Sequence, residues 1–227
     1  MEATTRDLLL RPDSYFKDLM KKGESLKIPL IIILVGGILG AFNAYQVSGL
    51  TGQMFSQAMS GMGGIVTIMG ALAGFVMFFL LWVIYSGIVF AISMAFKGTG
   101  SFKRTLEVMG LGMIPQVLGA AVTLLLSFYY LPLVEVPRVT SLQDPAVVQA
   151  AVQQLMNDPA MRQLTLVSTA VGILFLLWSA NIWIFGVRHA RNLSLRHAIL
   201  VVAIPVAAYI IYAVVMLIIG VPGTGGL

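Results

Sequence analysis

The sequence predicts an all-α polytopic membrane protein. We expect a five-transmembrane-helix bundle with a short interfacial N-terminal helix and an extracytoplasmic helix between spans three and four. Three observations predict it. Of 227 residues, 59% are hydrophobic and only 10% are charged, whereas a soluble domain carries about 25% charged residues. So few charges cannot cover a water-facing surface of this size. Five apolar runs reach the roughly 20 residues that a helix needs to cross a hydrocarbon core about 30 Å thick. Lys and Arg, finally, alternate between connections that hold many and connections that hold few or none.

Residues 1–27 form the cytoplasmic N-terminal segment. From Pro12 to Lys22 the apolar residues recur at i, i+1, i+4 and i+5, with Lys17, Lys21 and Lys22 at the flanks. This spacing predicts a short amphipathic helix, either lying in the membrane interface or packed on its own bundle. The first apolar run starts only at Ile28, after a long polar lead, and is long enough to span, so no cleavable signal peptide is expected. The membrane domain, residues 28–219, begins with a span from about Ile28 to Val47. The second span, about Ile65 to Phe96, has length to spare for tilt or projection. The third, about Leu106 to Tyr130, contains Pro115, which removes a backbone donor and predicts a kink near Leu111.

The long connection that follows, Leu131 to Arg162, contains Asp144-Pro145, an N-cap with proline at the first helical position. Val147, Val148, Ala151, Val152, Leu155 and Met156 then make one apolar stripe. This helix could lie on the membrane, cap the bundle or pair with another subunit. Asp158-Pro159 repeats the start signal and opens the approach to the fourth span, about Leu164 to Val187. The fifth runs from about Ala198 to Ile219, with a bend expected at Pro205, and residues 220–227 form an extracytoplasmic tail.

Orientation comes from the basic residues. The lead holds Arg6, Arg11, Lys17, Lys21, Lys22 and Lys27; the connection after span two holds Lys97, Lys103 and Arg104; that after span four holds Arg188, Arg191 and Arg196. The opposite side has only Arg138 and Arg162. The alternation predicts an integral cell-membrane protein with a cytoplasmic N-terminus and an extracytoplasmic C-terminus. It also accounts for the net charge of +5 without nucleic acid, for which no aromatic-interleaved basic patch is present.

The chemistry is sparse. The chain has no cysteine, which excludes disulfides, thiolate metal sites and thiol nucleophiles. No HExxH, Gly-x-Ser-x-Gly or phosphate-binding Gly-x-x-x-x-Gly-Lys motif occurs, and neither an enzyme nor a cofactor is expected. His189 and His197 have arginines as neighbours, which oppose a bound cation, so no metal site is expected either. The candidate intramembrane polar groups are Glu107, Gln116 and Asn181. Glu107 can pair with Lys103 or Arg104 on its own helix, or reach Arg188, Arg191 or Arg196. Gly36/Gly40 and Gly70/Gly74 have the spacing that lets helix backbones approach, within the chain or at a dimer seam. Gly110, Gly112, Pro115 and Pro205 are the structural helix breaks. The basic connection Arg188, Arg191 and Arg196 is the candidate surface facing lipid or a partner, with anionic headgroups on the cytoplasmic face as the natural ligand.

Several runs resemble the Yip family of Ypt/Rab-interacting membrane proteins. Leu10-Arg-Pro12-Asp-Ser-Tyr-Phe16 is similar to the Pro-x-x-Phe start of prokaryotic members. Phe96-Lys-Gly98-Thr-Gly100-Ser-Phe102 through Gly110-Leu-Gly-Met-Ile-Pro115 resembles the family's glycine turn and proline-broken third helix. Trp178 to Arg188, then Arg196 to Pro205, resembles its closing pair of spans. The resemblance implies five spans, a cytoplasmic N-terminus and a non-enzymatic protein. Eukaryotic members are associated with small GTPases and membrane trafficking. Their acidic N-terminal region and Asp-Leu-Tyr-Gly-Pro-like segment are missing here, which argues against GTPase binding and for the prokaryotic type. The functional expectation is a membrane organiser or scaffold, acting through lipids, an unidentified protein partner or self-association. The alternative is a small-solute channel or transporter with Pro115, Gln116 and Asn181 near its path.

Overall fold

A computed structural model describes residues 5–56, 63–139 and 141–219. The tail 220–227 and part of the first connection, residues 57–62, lie outside the described residues. Five helices are long and apolar enough to cross a membrane: Lys27–Phe55, Gly63–Ala95, Ile114–Leu133, Pro159–Ala190 and Leu195–Ile219. The described elements are all helical. In chain order they are α1 (Thr5–Leu10), α2 (Pro12–Leu19), α3 (Lys27–Phe55), α4 (Gly63–Ala95), α5 (Phe102–Leu111), α6 (Ile114–Tyr130) with a 3-10 turn at Leu131–Leu133, α7 (Pro145–Asn157), α8 (Pro159–Ala190) and α9 (Leu195–Ile219). At 1.5 Å per residue the 33 residues of α4 extend about 50 Å, well beyond a core of about 30 Å. The helices α3, α4 and α9 are strongly apolar and, like membrane-crossing helices, have no separate polar face. Large exposed residues such as Ile31, Leu72 and Ile211 give this surface the character that a lipid environment suits.

The stretch read from sequence as one third span is two helices. α5 ends at Leu111, and Gly112 and Met113 separate it from α6. Pro115 is the second residue of α6, in the first turn, where a missing N–H is not missed. Proline therefore starts a new helix here instead of bending an old one. At Pro205, by contrast, α9 runs on as one helix.

The caps explain the other boundaries. Asp144 Oδ1 accepts from the Ala146 N–H at 2.9 Å and opens α7. Asp158 Oδ1 accepts from the N–H groups of Ala160 and Met161 at 2.9 and 3.1 Å and opens α8. Both satisfy orphan donors of a helix N-terminus.

The described residues divide into two compact units, one made of those within 5–35, 79–118 and 173–211, the other of those within 36–56, 63–78, 119–139, 141–172 and 212–219. In the second unit α3 and α4 pack backbone on backbone. A Cβ at Gly40 would lie 3.0 Å from Gly74 O, and one at Gly74 would lie 2.6 Å from Gly40 O. Gly70 is equally close to Ser48, so the small-residue spacing serves contacts within the chain. Asn43 Nδ2 donates to Leu39 O at 3.0 Å and Ala120 O at 3.1 Å, tying α3 to α6. The helix α7 packs on its own unit. Its Ala151 and Leu155 are buried in a cluster with Leu50, Met54, Leu131 and Leu164.

In the first unit the N-terminal helices are packed down. Leu8 and Phe16 are fully buried, and a Cβ at Gly186 of α8 would lie 3.1 Å from the Phe16 ring. Of the two sequence readings for this segment, the structure has the one in which it docks on its own bundle. Two indoles dock against α5. Trp82 Nε1 donates to Leu106 O at 3.0 Å, and Trp183 Nε1 donates to Met109 O at 2.8 Å. The Met113 N–H turns back to Gly110 O, which leaves Met109 O to be satisfied by Trp183, as a freed carbonyl in lipid requires. Gly110 and Gly112 make room for these rings. A Cβ at Gly110 would lie 2.9 Å from Trp82 Nε1, and one at Gly112 would strike the Trp183 ring.

Candidate functional site

The polar groups of the first unit gather where α4 ends, α5 starts and α8 passes into α9. Both C-termini turn through a left-handed residue, Lys97 at φ 60° and Asn192 at φ 52°. Both are closed by the long hydrogen bond of a Schellman turn, Gly98 N–H to Ser93 O at 2.9 Å and Leu193 N–H to Arg188 O at 3.0 Å. The two turns are then joined to each other. The Thr99 N–H donates to Arg191 O at 2.9 Å, and Asn192 Nδ2 donates to Thr99 Oγ1 at 2.9 Å. Gly100, at φ 106°, lies so close to Ala190 O that no side chain fits.

Arg191 fastens this junction. The sequence reading placed it on the surface facing lipid or a partner; the structure corrects this, because Arg191 is 2% exposed. Its guanidinium donates to Gly98 O at 2.9 Å, to Gly100 O and to Ser93 Oγ at 2.8 Å. It also lies 4.1 Å from the centre of the Phe90 ring. A planar fork of donors suits carbonyls at a helix C-terminus, whose dipole favours a cation. The charge is therefore spent on the chain's own backbone.

A second knot holds the lead segment. Ser101 caps α5, accepting from the Arg104 N–H at 2.9 Å, and its hydroxyl donates to Glu24. The buried Arg104 donates to Glu107 Oε2 at 2.5 Å and to Lys22 O at 2.6 Å, while Glu107 Oε1 accepts from the Ser25 N–H at 3.2 Å. Glu107 thus pairs with Arg104, the first of its two sequence alternatives. A third knot ties α2 to the end of α8. Asp13 Oδ1 accepts from Arg188 at 2.9 Å and lies 2.8 Å from His189 Nε2. The hydrogen bond with His189, with help from the Arg188 charge, holds the Asp13 carboxyl below its ordinary value.

The remaining candidates are not assembled into one place. Arg196 is exposed, Arg188 is half-buried against Asp13, and Asn181 is exposed on α8. Gln116 is buried, with no hydrogen-bond partner for its Nε2. His197 stacks beside Phe96, ring centres 5.0 Å apart. Among the described residues no group of three His, Asp or Glu side chains could hold a metal ion. In the second unit a cavity of about 560 Å³ is lined by Tyr45, Gln46, Gln53, Ser56, Thr67 and Leu131, and Gln46 Nε2 is buried without a partner. Sequence reasoning did not single out this cavity, nor Asp13, Trp82, Trp183 and Ser93 as partners. The one signal was the Lys97-Gly-Thr-Gly100 run, whose two glycines mark where a backbone must come close.

Residues 6–217 match the Yip1 domain. An uncharacterized protein of the archaeon Methanocaldococcus jannaschii is 35% identical over 123 residues, which cover 54% of this chain and 87% of that protein. No solved structure matches the chain. The chain belongs to the Yip1 family.

Proposed function

We propose that this membrane-embedded Yip1-family protein is a non-enzymatic organiser that binds anionic lipid headgroups at the polar end of its first unit. The observation that carries this is the division of labour among its cations. Arg191, Arg104 and Arg188 are consumed in knots that fasten three connections together, while Lys22, Lys27, Lys97, Lys103 and Arg196 stand exposed in the same unit. All twelve basic residues of the charge-rich side fall in this unit, and Arg138 and Arg162 fall in the other. Side chains held on a fastened frame lose less entropy on meeting a headgroup than side chains on a loose loop.

The same distribution supports a cytoplasmic N-terminus. Because the chain lacks cysteine, single thiols at Arg196 and at Gln154 report each side to a membrane-impermeant maleimide in intact cells. Labelling of Gln154→Cys alone is the expected result; labelling of Arg196→Cys alone reverses the orientation. Headgroup selection is tested by the lipids that co-purify. Enrichment of anionic lipid over the bulk membrane, lost in Lys97→Gln/Lys103→Gln/Arg196→Gln, is expected, and equal composition in the two proteins refutes the reading.

A second reading, binding or passage of a small uncharged solute, is favoured by the cavity beside Gln46 and Thr67, whose lining carries no charge. The route through Gln116 and Asn181 has less support, since one is buried and the other faces outward. Retention of a defined solute that Gln46→Leu abolishes would favour this second reading.

A further inference from the structure

Two kinds of contact hold the N-terminal helices on the first unit. The apolar contact is made by Leu8 and Phe16, both buried, with the Phe16 ring against Gly186 of α8. The polar contact is made one turn earlier on α2, by Asp13. Its Oδ1 faces two groups at the end of α8, Arg188 Nη1 at 2.9 Å and His189 Nε2 at 2.8 Å. Of these partners only the imidazole changes charge between about pH 5 and 8. The other charged groups around the contact are accounted for. Lys17, one turn along α2, adds positive charge near Asp13. Asp18 is paired with Lys21, and Glu107 of α5 with Arg104. Tyr15 feels the Glu107 charge, α1 carries Arg6 and Asp7, and Arg191 of the α8–α9 turn is committed to the carbonyls of Gly98 and Gly100.

A neutral imidazole gives Asp13 a hydrogen bond; a protonated one gives the same bond with a charge behind it. Charging His189 is unfavourable by itself, because it puts a second cation beside Arg188. The carboxylate that offsets this reaches them only while α2 is docked. Protonation and docking therefore favour each other. We propose that Asp13 and His189 form a proton-operated latch, which holds α1 and α2 on the first unit in mild acid and loosens them as pH rises. The imidazole contribution is complete below the histidine range and is lost as pH climbs through it. The carboxylate contribution is lost only at much lower pH, as Asp13 itself takes up a proton. Docking is tightest between the two. Phe16 and Arg188 keep their hold throughout, so the latch grades docking without abolishing it. Half of the Asp13 side chain is exposed, and a pair so placed shifts the equilibrium by about 2- to 5-fold. The latch concerns how the N-terminal helices are held and stands apart from the headgroup reading.

Limited proteolysis of the full chain tests this, in nanodiscs of zwitterionic lipid so that anionic headgroups contribute nothing. Trypsin at low concentration cuts after Lys21 and Lys22 in proportion to the fraction of open segment. Each rate, taken between about pH 5.5 and 8, is divided by that of an unstructured peptide with the same cut site. This removes the pH dependence of the protease. The normalised rate of the wild type should rise about 2- to 5-fold across the range. His189→Gln keeps a hydrogen-bond donor but takes no charge, and its profile should be flat. Asp13→Asn should be cut faster than the wild type and should also show no slope. Fluorescence of the buried Trp82 and Trp183 reports that the unit of each variant is folded. A flat wild-type profile overturns the proposal without recourse to any variant. A slope that survives in His189→Gln or in Asp13→Asn overturns it as well.

Discussion

Replacing Arg191 should loosen the first unit more than any other single polar change. Arg191→Met keeps the apolar stem and most of the volume, and removes the guanidinium. Three hydrogen bonds go with it, to Gly98 O, Gly100 O and Ser93 Oγ, each worth a net ~1 kcal/mol or more from a charged donor. The contact with the Phe90 ring, 4.1 Å away, adds about 1 kcal/mol in a desolvated setting. Two carbonyls at a crowded turn also lose their donors, which raises the total to about 4–6 kcal/mol. Unfolding in mixed micelles with rising sodium dodecyl sulfate, followed by tryptophan fluorescence, measures this. Trp82 and Trp183 are both buried in the same unit and report its packing. Arg191→Lys should lose about half as much, because an ammonium lacks the planar fork. A loss under about 1 kcal/mol for Arg191→Met, the scale of a surface substitution, would refute the view that this arginine fastens the junction.

Three further outcomes follow from named contacts. Gly100→Ala combines a φ of 106° with a clash on Ala190 O and should cost about 1–3 kcal/mol; combined with Arg191→Met its effect should be less than additive, which a double-mutant cycle reads. Gly112→Val should push Trp183 off Met109 O and lower the unfolding free energy by the ~1–3 kcal/mol of an overpacked core, while Gly87→Ala, with open space around it, should change little. Asp13 has a carboxyl held below its ordinary value of 3.8, by His189 first and by Arg188. Its contribution to docking α2 is therefore present above pH 3.8 and is lost as pH falls through the lower folded value. Asp13→Asn should accordingly raise protease cutting after Lys21 and Lys22 at neutral pH, and no longer do so once the wild type is also protonated.

Features set by short-range chemistry could be read from the sequence. The five apolar runs, the Asp144-Pro145 and Asp158-Pro159 starts and the Glu107–Arg104 pair each depend on residues within one or two turns. Pro115 marks the break in the third helix, but composition does not separate a bend from a restart. That difference depends on Gly112, whose lack of a side chain lets Trp183 from α8 reach the backbone. Arg191 was misplaced for a related reason. In sequence it is one of three similar arginines in a polar connection, and only the meeting of two helix C-termini turns it inward while Arg196 stays exposed. Asn181 and Gln116 likewise look equivalent along the chain. The structure separates them by which side of its helix each occupies.

Native mass spectrometry of the protein extracted with its own lipids tests the headgroup claim most directly, with Lys97→Gln/Lys103→Gln/Arg196→Gln run beside the wild type. Each exposed cation near an anionic surface is worth about 1 kcal/mol, so the triple variant should lose roughly 3 kcal/mol of lipid affinity. Anionic lipid retained by the wild type and stripped from the variant at the same collision energy is the predicted result. Identical lipid adducts on both proteins, or a wild type that carries only zwitterionic lipid, would contradict it.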